Sequence, residues 1–196
     1  VGESVLNYLD TKNVNVLNLT CPFVIKTQKI VSEYFKKGYQ IVIYGKPDHP
    51  EVIGLNGWCN DTAIVCDGKT KLDFSVINSD KICVVAQTTT SEEKFTEFLK
   101  NFDNSHAKTV EIFKTICYTT LERQKEADLL SKKCDAMVVI GGNSSSNTKK
   151  LYDICLKNCK DTFFVSSPEG LDYNLLKRYG SVGIVSGAST PLDVSM

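Results

Sequence analysis

The chain has 196 residues, of which 42% are hydrophobic and 23% charged, with only five prolines, a balance that excludes a disordered or low-complexity protein. Its 23 basic and 23 acidic side chains cancel and no Lys/Arg-rich run occurs, so neither nucleic acid nor an anionic membrane is an expected partner, and any anionic ligand must be held locally. No apolar run approaches the roughly 18 residues that cross a bilayer, and no charged and then apolar leader opens the chain, so a soluble protein is expected.

In chain order, "VNVLNL" (14–19) reads as a strand, "PFVIKTQKIVSEYFKKG" as an amphipathic helix and "QIVIYG" as a second strand; "VEIF", "TTLERQKEADLLSKK" and "AMVVIGG" repeat that succession further on. Alternation of this kind predicts parallel strands joined by crossover helices, an α/β fold. Thr90 stands three residues before Glu93, the spacing of a capping box, and Thr190 precedes Pro191 with Asp193 in what would be the first turn of a helix.

A long-period repeat organises these elements. Cys21 and Cys117 lie 96 residues apart; seven positions after each comes a glutamine (Gln28, Gln124), and 24 after each comes a glycine that closes an apolar strand (Gly45, Gly141). The segments "KICVVAQTTT" and "SVGIVSGAST" then match as strands that end in hydroxyls. Two homologous α/β lobes are expected, one over residues 14–108 and the other over 109–196. The start at Val1 and the end at Met196, inside a helix-like segment, give the expectation of a fragment.

Eight cysteines (21, 59, 66, 83, 117, 134, 155 and 159) are too sparse for a disulfide scaffold, and several lie inside apolar strand runs, which points to free thiols in a reducing cytoplasm. Cys155 and Cys159 are i and i+4 on a helix but lack the further ligands of a metal site, so packing is their expected role. Cys21 and Cys117 differ from the rest. Each falls where a first strand ends and a helix begins, a position that favours the thiolate, on the sheet edge where open parallel sheets bind ligands.

Three further groups fall on that edge. His49 and Glu51 in "GKPDHPEVIG" can face one ligand, the imidazole as a hydrogen-bond donor to phosphate and the carboxyl as a proton carrier. By the repeat, His49 corresponds to Ser145 and Glu51 to Asn147 in "GGNSSSNTKK", where small hydroxyl and amide donors suit phosphate oxygens, although no Walker A lysine follows. Thr88, Thr89 and Ser189 supply hydroxyls at strand ends. The residues alone leave three readings open: an enzyme, a non-catalytic phosphate-binding module in which the cysteines pack, and a redox pair formed by Cys21 and Cys117.

"TCPFVIK", "HPEVIG", "QTT", "ICYTTLERQ", "NSSSN" and "SGASTP", in this order and at these spacings, closely resemble the 4-hydroxy-3-methylbut-2-enyl diphosphate reductase (IspH or LytB) family over essentially the whole chain. The resemblance implies three α/β lobes in a trefoil around a [4Fe–4S] cluster with one cysteine ligand per lobe, of which Cys21 and Cys117 would be two. It further implies Glu51 as the proton source with Thr88 in the relay, and His49, Thr88, Ser145, Ser146, Asn147 and Ser189 as substrate-binding residues. The implied reaction is reductive removal of the substrate's hydroxyl in the last step of the methylerythritol phosphate route, with a ferredoxin or flavodoxin as electron donor. A bacterial cytoplasm is the implied compartment, or a plastid if the source is a eukaryote. The resemblance implies that the first lobe and its cysteine are absent, with residues 1–13 as its remnant; two cysteines fall short of the family's three, so this chain alone is expected to hold no stable cluster and to be inactive.

Overall fold

The computed structural model describes residues 1–68, 77, 79–102, 107–188 and 190, which divide into two units, Val1–Ile116 and Cys117–Met196. In the first unit, helices α1 (Glu3–Thr11) and α2 (Pro22–Lys36) precede strand β1 (Gln40–Tyr44). Then come α3 (Pro50–Asn56), β2 (Ile64–Cys66), β3 (Lys81–Ala86), α4 (Glu92–Lys100) and β4 (Thr109–Phe113). The four strands form one sheet in the order β2-β1-β3-β4, and every neighbouring pair is parallel.

The central strands explain themselves. "IVIY" and "ICVVA" are continuous apolar runs because helices cover both faces of a parallel sheet, so no strand position is left for water. Strand alternation sends Val42, Tyr44, Val84 and Ala86 to one face, where they meet Phe95 of α4, and Ile41, Ile43, Cys83 and Val85 to the other, where they meet Val31 of α2 and Leu55 of α3. On the first face the Tyr44 and Phe98 rings stack with centroids 4.7 Å apart.

The second unit contains α5 (Tyr118–Ser131), β5 (Ala136–Ile140), α6 (Ser146–Asn158), β6 (Thr162–Val165), a 3-10 turn (Pro168–Gly170), α7 (Tyr173–Leu176) and β7 (Val182–Ser186). Its sheet is parallel throughout, in the order β6-β5-β7. Met137 and Val139 pack against Ala127 of α5 and Leu151 and Cys155 of α6, while Val138, Ile140 and Val165 form the core of the opposite face. Cys155 and Cys159 are both buried in that first cluster, the packing role expected for them. No described helix is long and apolar enough to cross a membrane.

The α/β architecture with parallel sheets is as expected, but three local readings are corrected. Residues 109–113 open no second lobe: β4 pairs in register with β3, Lys81 opposite Thr109 and Val85 opposite Phe113, so the first unit extends to Ile116 and not to residue 108. The segment 14–19 forms no strand. It has no sheet neighbour among the described residues, and Val14, Val16, Leu17 and Leu19 are exposed. The cap of α4 is Ser91, whose hydroxyl accepts from the Lys94 N–H, because Thr90 is buried in the preceding turn with its N–H bonded to the Gln87 carbonyl. Pro191 and Asp193, expected to start a further helix, lie outside the described residues.

The strand-closing glycines occupy matching positions in the two units. A Cβ at Gly45 would lie 2.8 Å from Val52 Cγ2 and from Gln87 Cβ; one at Gly141, whose φ is +154°, would lie 2.6 Å from the Thr148 hydroxyl oxygen and 2.9 Å from that of Thr190. In both units, then, the following helix packs flat against the strand end, which only a residue without a side chain permits. Gly141→Ala is expected to destabilise the chain by about 1–3 kcal/mol in urea unfolding through overpacking. Gly142→Ala, with no atom within 4 Å of the added methyl, should leave the unfolding midpoint close to that of the wild type.

Candidate active site

The carboxyl edge of the first sheet carries an acid and its partner. The chain leaves β1 at Gly45, turns, and enters α3 with His49 as the N-cap, Pro50 in the first turn with its fixed φ and no N–H to waste, and Glu51 following. Glu51 reaches across to the turn after β3, 37 residues on in sequence. Its Oε1 accepts the Thr88 N–H at 2.6 Å and its Oε2 accepts the Thr88 hydroxyl at 2.8 Å. Thr88 is only 4% exposed.

Burial raises the pKa of Glu51 above its usual 4.5, and the two bonds from Thr88, which favour the charged form, pull it back in part. The carboxyl is therefore poised to hold a proton at a higher pH than a surface acid while keeping a hydroxyl in contact. His49 Nδ1 accepts the Glu51 backbone N–H at 3.1 Å, which leaves its proton on Nε2 as a donor for a ligand. Burial, with Lys46 adding to it, lowers the His49 pKa below 6.5, against a smaller opposing effect of Asp48, so the imidazole is neutral at neutral pH.

The two repeated cysteines cap the two long helices that start on these edges. Cys21 is the N-cap of α2 and is exposed; Cys117 is the N-cap of α5 and is half-buried. Neither Sγ makes a hydrogen bond among the described residues, and neither thiol is in a disulfide. The interior thiols contrast with them, since burial pushes Cys59 and Cys155 up to about 11 and Cys66 and Cys83 up to about 12. Those thiols stay protonated and behave as apolar filler.

In the second unit Ser145 caps α6 by accepting the Thr148 N–H at 3.2 Å, the same role that His49 plays for α3. Ser146 and Asn147 occupy the first turn of α6. Asn147 is 6% exposed, yet among the described residues neither atom of its amide has a hydrogen-bond partner, and the same holds for the Thr148 hydroxyl and the Gln124 Nε2. An unpaired buried polar group costs about 1–3 kcal/mol, a cost that a ligand arriving at this helix start would relieve. Ser189 lies outside the described residues.

Sequence reasoning missed Thr115, whose hydroxyl accepts the Ala86 N–H at 2.9 Å and donates to the Ala86 carbonyl at 2.5 Å, tying the loop two residues ahead of Cys117 to the end of β3. It also missed Arg123, whose Nη1 donates to the Ser186 carbonyl at 2.9 Å and so holds the end of β7. No pattern signals either contact, because each joins residues far apart in the chain.

Two parallel sheets, each with a cysteine-capped helix ahead of its central strand and polar helix starts at its carboxyl edge, define an α/β protein that presents thiols, hydroxyl and amide groups and the partly buried acid Glu51. The chain belongs to the LytB protein family, whose model matches residues 1–195. It is 45% identical over 191 residues to a 4-hydroxy-3-methylbut-2-enyl diphosphate reductase of Caldanaerobacter subterraneus, an alignment that covers 97% of this chain and 66% of that one. A reductase of the same name from Clostridium acetobutylicum is 45% identical over 192 residues, which are 30% of its length. Thus the chain spans somewhat under two thirds of the first of these relatives and less than a third of the second. Among solved structures, the (E)-4-hydroxy-3-methyl-but-2-enyl diphosphate reductase described as the terminal enzyme of the non-mevalonate pathway matches with a TM-score of 0.66 and 33% identity, over 99% of this chain and 69% of that one. The reductase from Plasmodium falciparum matches with a TM-score of 0.85 and 26% identity, over the whole of this chain and 62% of that one.

Glu51 and His49 give opposite pH dependences. Glu51 has a raised folded pKa, so its contribution to stability is present below about pH 4.5 and is lost as pH rises through the folded value; His49 has a lowered one, so its contribution is present above about pH 6.5 and is lost as pH falls through the folded value. Carbon-detected NMR titration should place the Glu51 midpoint above 4.5 and that of His49 below 6.5. Glu51→Gln should remove the first dependence from unfolding curves, and His49→Asn, which keeps a capping side chain, the second.

Proposed function

We propose that this chain is the part of a 4-hydroxy-3-methylbut-2-enyl diphosphate reductase that supplies the catalytic acid, two cluster ligands and much of the diphosphate site. The observation that carries this reading is the partly buried Glu51 carboxyl, held by both the N–H and the O–H of Thr88, in a member of the LytB family. In the reaction, two electrons and two protons enter, the bond between carbon and the hydroxyl oxygen breaks, and the oxygen leaves as water, giving isopentenyl and dimethylallyl diphosphate.

Cys21 and Cys117 suit thiolate ligands of an iron–sulfur cluster, since each thiol, without a hydrogen-bond partner among the described residues, sits at the start of a long helix and outside the apolar cores. Cys21 and Cys117 are two of the three cysteine ligands that the family reading requires, so the pair is a partial set. When bound, the cluster would supply the electrons and an iron that accepts the substrate hydroxyl.

The chain's own residues handle the protons and the anion. Glu51 carries a proton to the leaving oxygen, and the Thr88 hydroxyl, already bonded to the Glu51 carboxylate, passes a proton between substrate and acid. Neutral His49 offers Nε2–H to a phosphate oxygen. Ser145, Ser146, Asn147 and Ser189 add directed hydroxyl and amide hydrogen bonds, and the N-terminal N–H groups of α6 favour negative charge. A ferredoxin or flavodoxin delivers the electrons, and the compartment is the bacterial cytoplasm, or a plastid if the source is a eukaryote.

Two experiments test the reading. In the holoenzyme, Glu51→Gln should lower kcat by about 10²–10⁴-fold, the usual worth of a positioned acid, with substrate affinity largely kept; an unchanged kcat would sink it. Treated anaerobically with iron and sulfide, this chain by itself should not retain the visible absorption of a cluster through gel filtration, and turnover by the isolated chain would contradict the partial ligand set.

A further inference from the structure

The bonds between Glu51 and Thr88 join two loops that lie 37 residues apart, and their geometry depends on how firmly those loops are held to each other. One side chain spans them. Gln87 is 2% exposed and sits at the end of β3, directly before Thr88. Its Oε1 accepts the Lys46 N–H at 3.1 Å, on the loop that leads from β1 to His49 and Glu51. Its Nε2 donates to the Thr89 hydroxyl at 2.8 Å, in the same turn as Thr88. Its backbone N–H donates to the Tyr44 carbonyl at 2.8 Å, and Gly45 lies so close that an added Cβ would fall 3.0 Å from Oε1.

The site asks for one acceptor and one donor at the two ends of a single buried amide, at the reach of a glutamine. A methionine would fill the same volume and leave the Lys46 N–H without its acceptor and Thr89 without its donor. The hydrogen bonds of Gln87 go to Lys46, Thr89, Thr90 and Tyr44 and not to His49 or Glu51, so its effect passes through the two loops.

We propose that Gln87 is a positioning residue that clamps the β1 and β3 exit loops together and thereby fixes the hydrogen bonds from Thr88 to Glu51; as a catalytic role this rests on Glu51 being the proton source. A clamp of this kind sets how much of the Thr88 pairing the carboxylate keeps, and so the balance between burial and hydrogen bonding at the acid.

The test is proton and nitrogen NMR of the labelled chain, read at the Thr88 amide. A backbone N–H 2.6 Å from a carboxylate oxygen should resonate well downfield and move with the titration of Glu51. Gln87→Met is expected to remove both the downfield position and the titration. Thr89→Val, which takes away one of the two clamp bonds and keeps the shape, should move the signal in the same direction by a smaller amount. Val84→Ala, a core truncation in the same strand, should lower the unfolding temperature and leave the Thr88 signal where it was.

An unchanged Thr88 amide in folded Gln87→Met overturns the proposal, as does an equal displacement in Val84→Ala. If Gln87→Met does not fold, Thr89→Val decides, and an unmoved signal there overturns it. A Glu51 midpoint at or below the ordinary carboxylate value would instead overturn the acid reading, while the Thr88 signal would still report on the clamp.

Discussion

The shared direction of the strands is the constraint from which the chemistry follows. When every strand in a sheet points the same way, each one must hand over to its helix on the same edge, so strand ends, helix N-termini and their capping side chains collect there whatever their separation in sequence. In the first unit this brings the N-cap His49, Glu51 and the Thr88 turn to the ends of β1 and β3, which are neighbours in the sheet. In the second it brings Ser145, Asn147 and the end of β7 to the same kind of edge. The cysteines that start α2 and α5 take the corresponding place before their helices.

Given that placement, burial decides what each group does. Cys59, Cys66, Cys83 and Cys155 are enclosed and held as neutral thiols, while Cys21 and Cys117 remain reachable at helix starts. Glu51 is enclosed far enough to resist ionisation but is given two donors, so it stays between the behaviour of a core acid and that of a surface one. Asn147 is enclosed with no hydrogen-bond partner for its amide among the described residues. These differences need no unusual residues, only ordinary ones at different depths.

Much of this was legible in the sequence because it recurs. The spacing of 96 residues picked out Cys21 with Cys117 and Gly45 with Gly141, and its pairing of His49 with Ser145 corresponds to two side chains that cap their helices in the same way. Local patterns could not reach the rest. Whether 109–113 belongs to the sheet before it or the one after it depends on which edge is available, and the matching segment 14–19, equally apolar, stays exposed without a partner among the described residues. The bond from Lys46 to Gln87 and the tie from Thr115 to Ala86 are likewise contacts between residues far apart in the chain. Thr90 and Ser91 show the limit at short range, since two adjacent hydroxyls both suited the cap and only the packing of Thr90 settled which one served.

The account turns on Cys21 and Cys117 being ligands and not packing thiols, and bound iron reports on that directly. Iron and acid-labile sulfide should be measured per protein in the anaerobically purified holoenzyme, alongside its Cys21→Ser, Cys117→Ser and Cys134→Ser variants, the last replacing a thiol outside the repeat. Loss of both elements in the first two variants, with the third like the wild type, is the predicted result. Undiminished iron and sulfide in Cys117→Ser would contradict it.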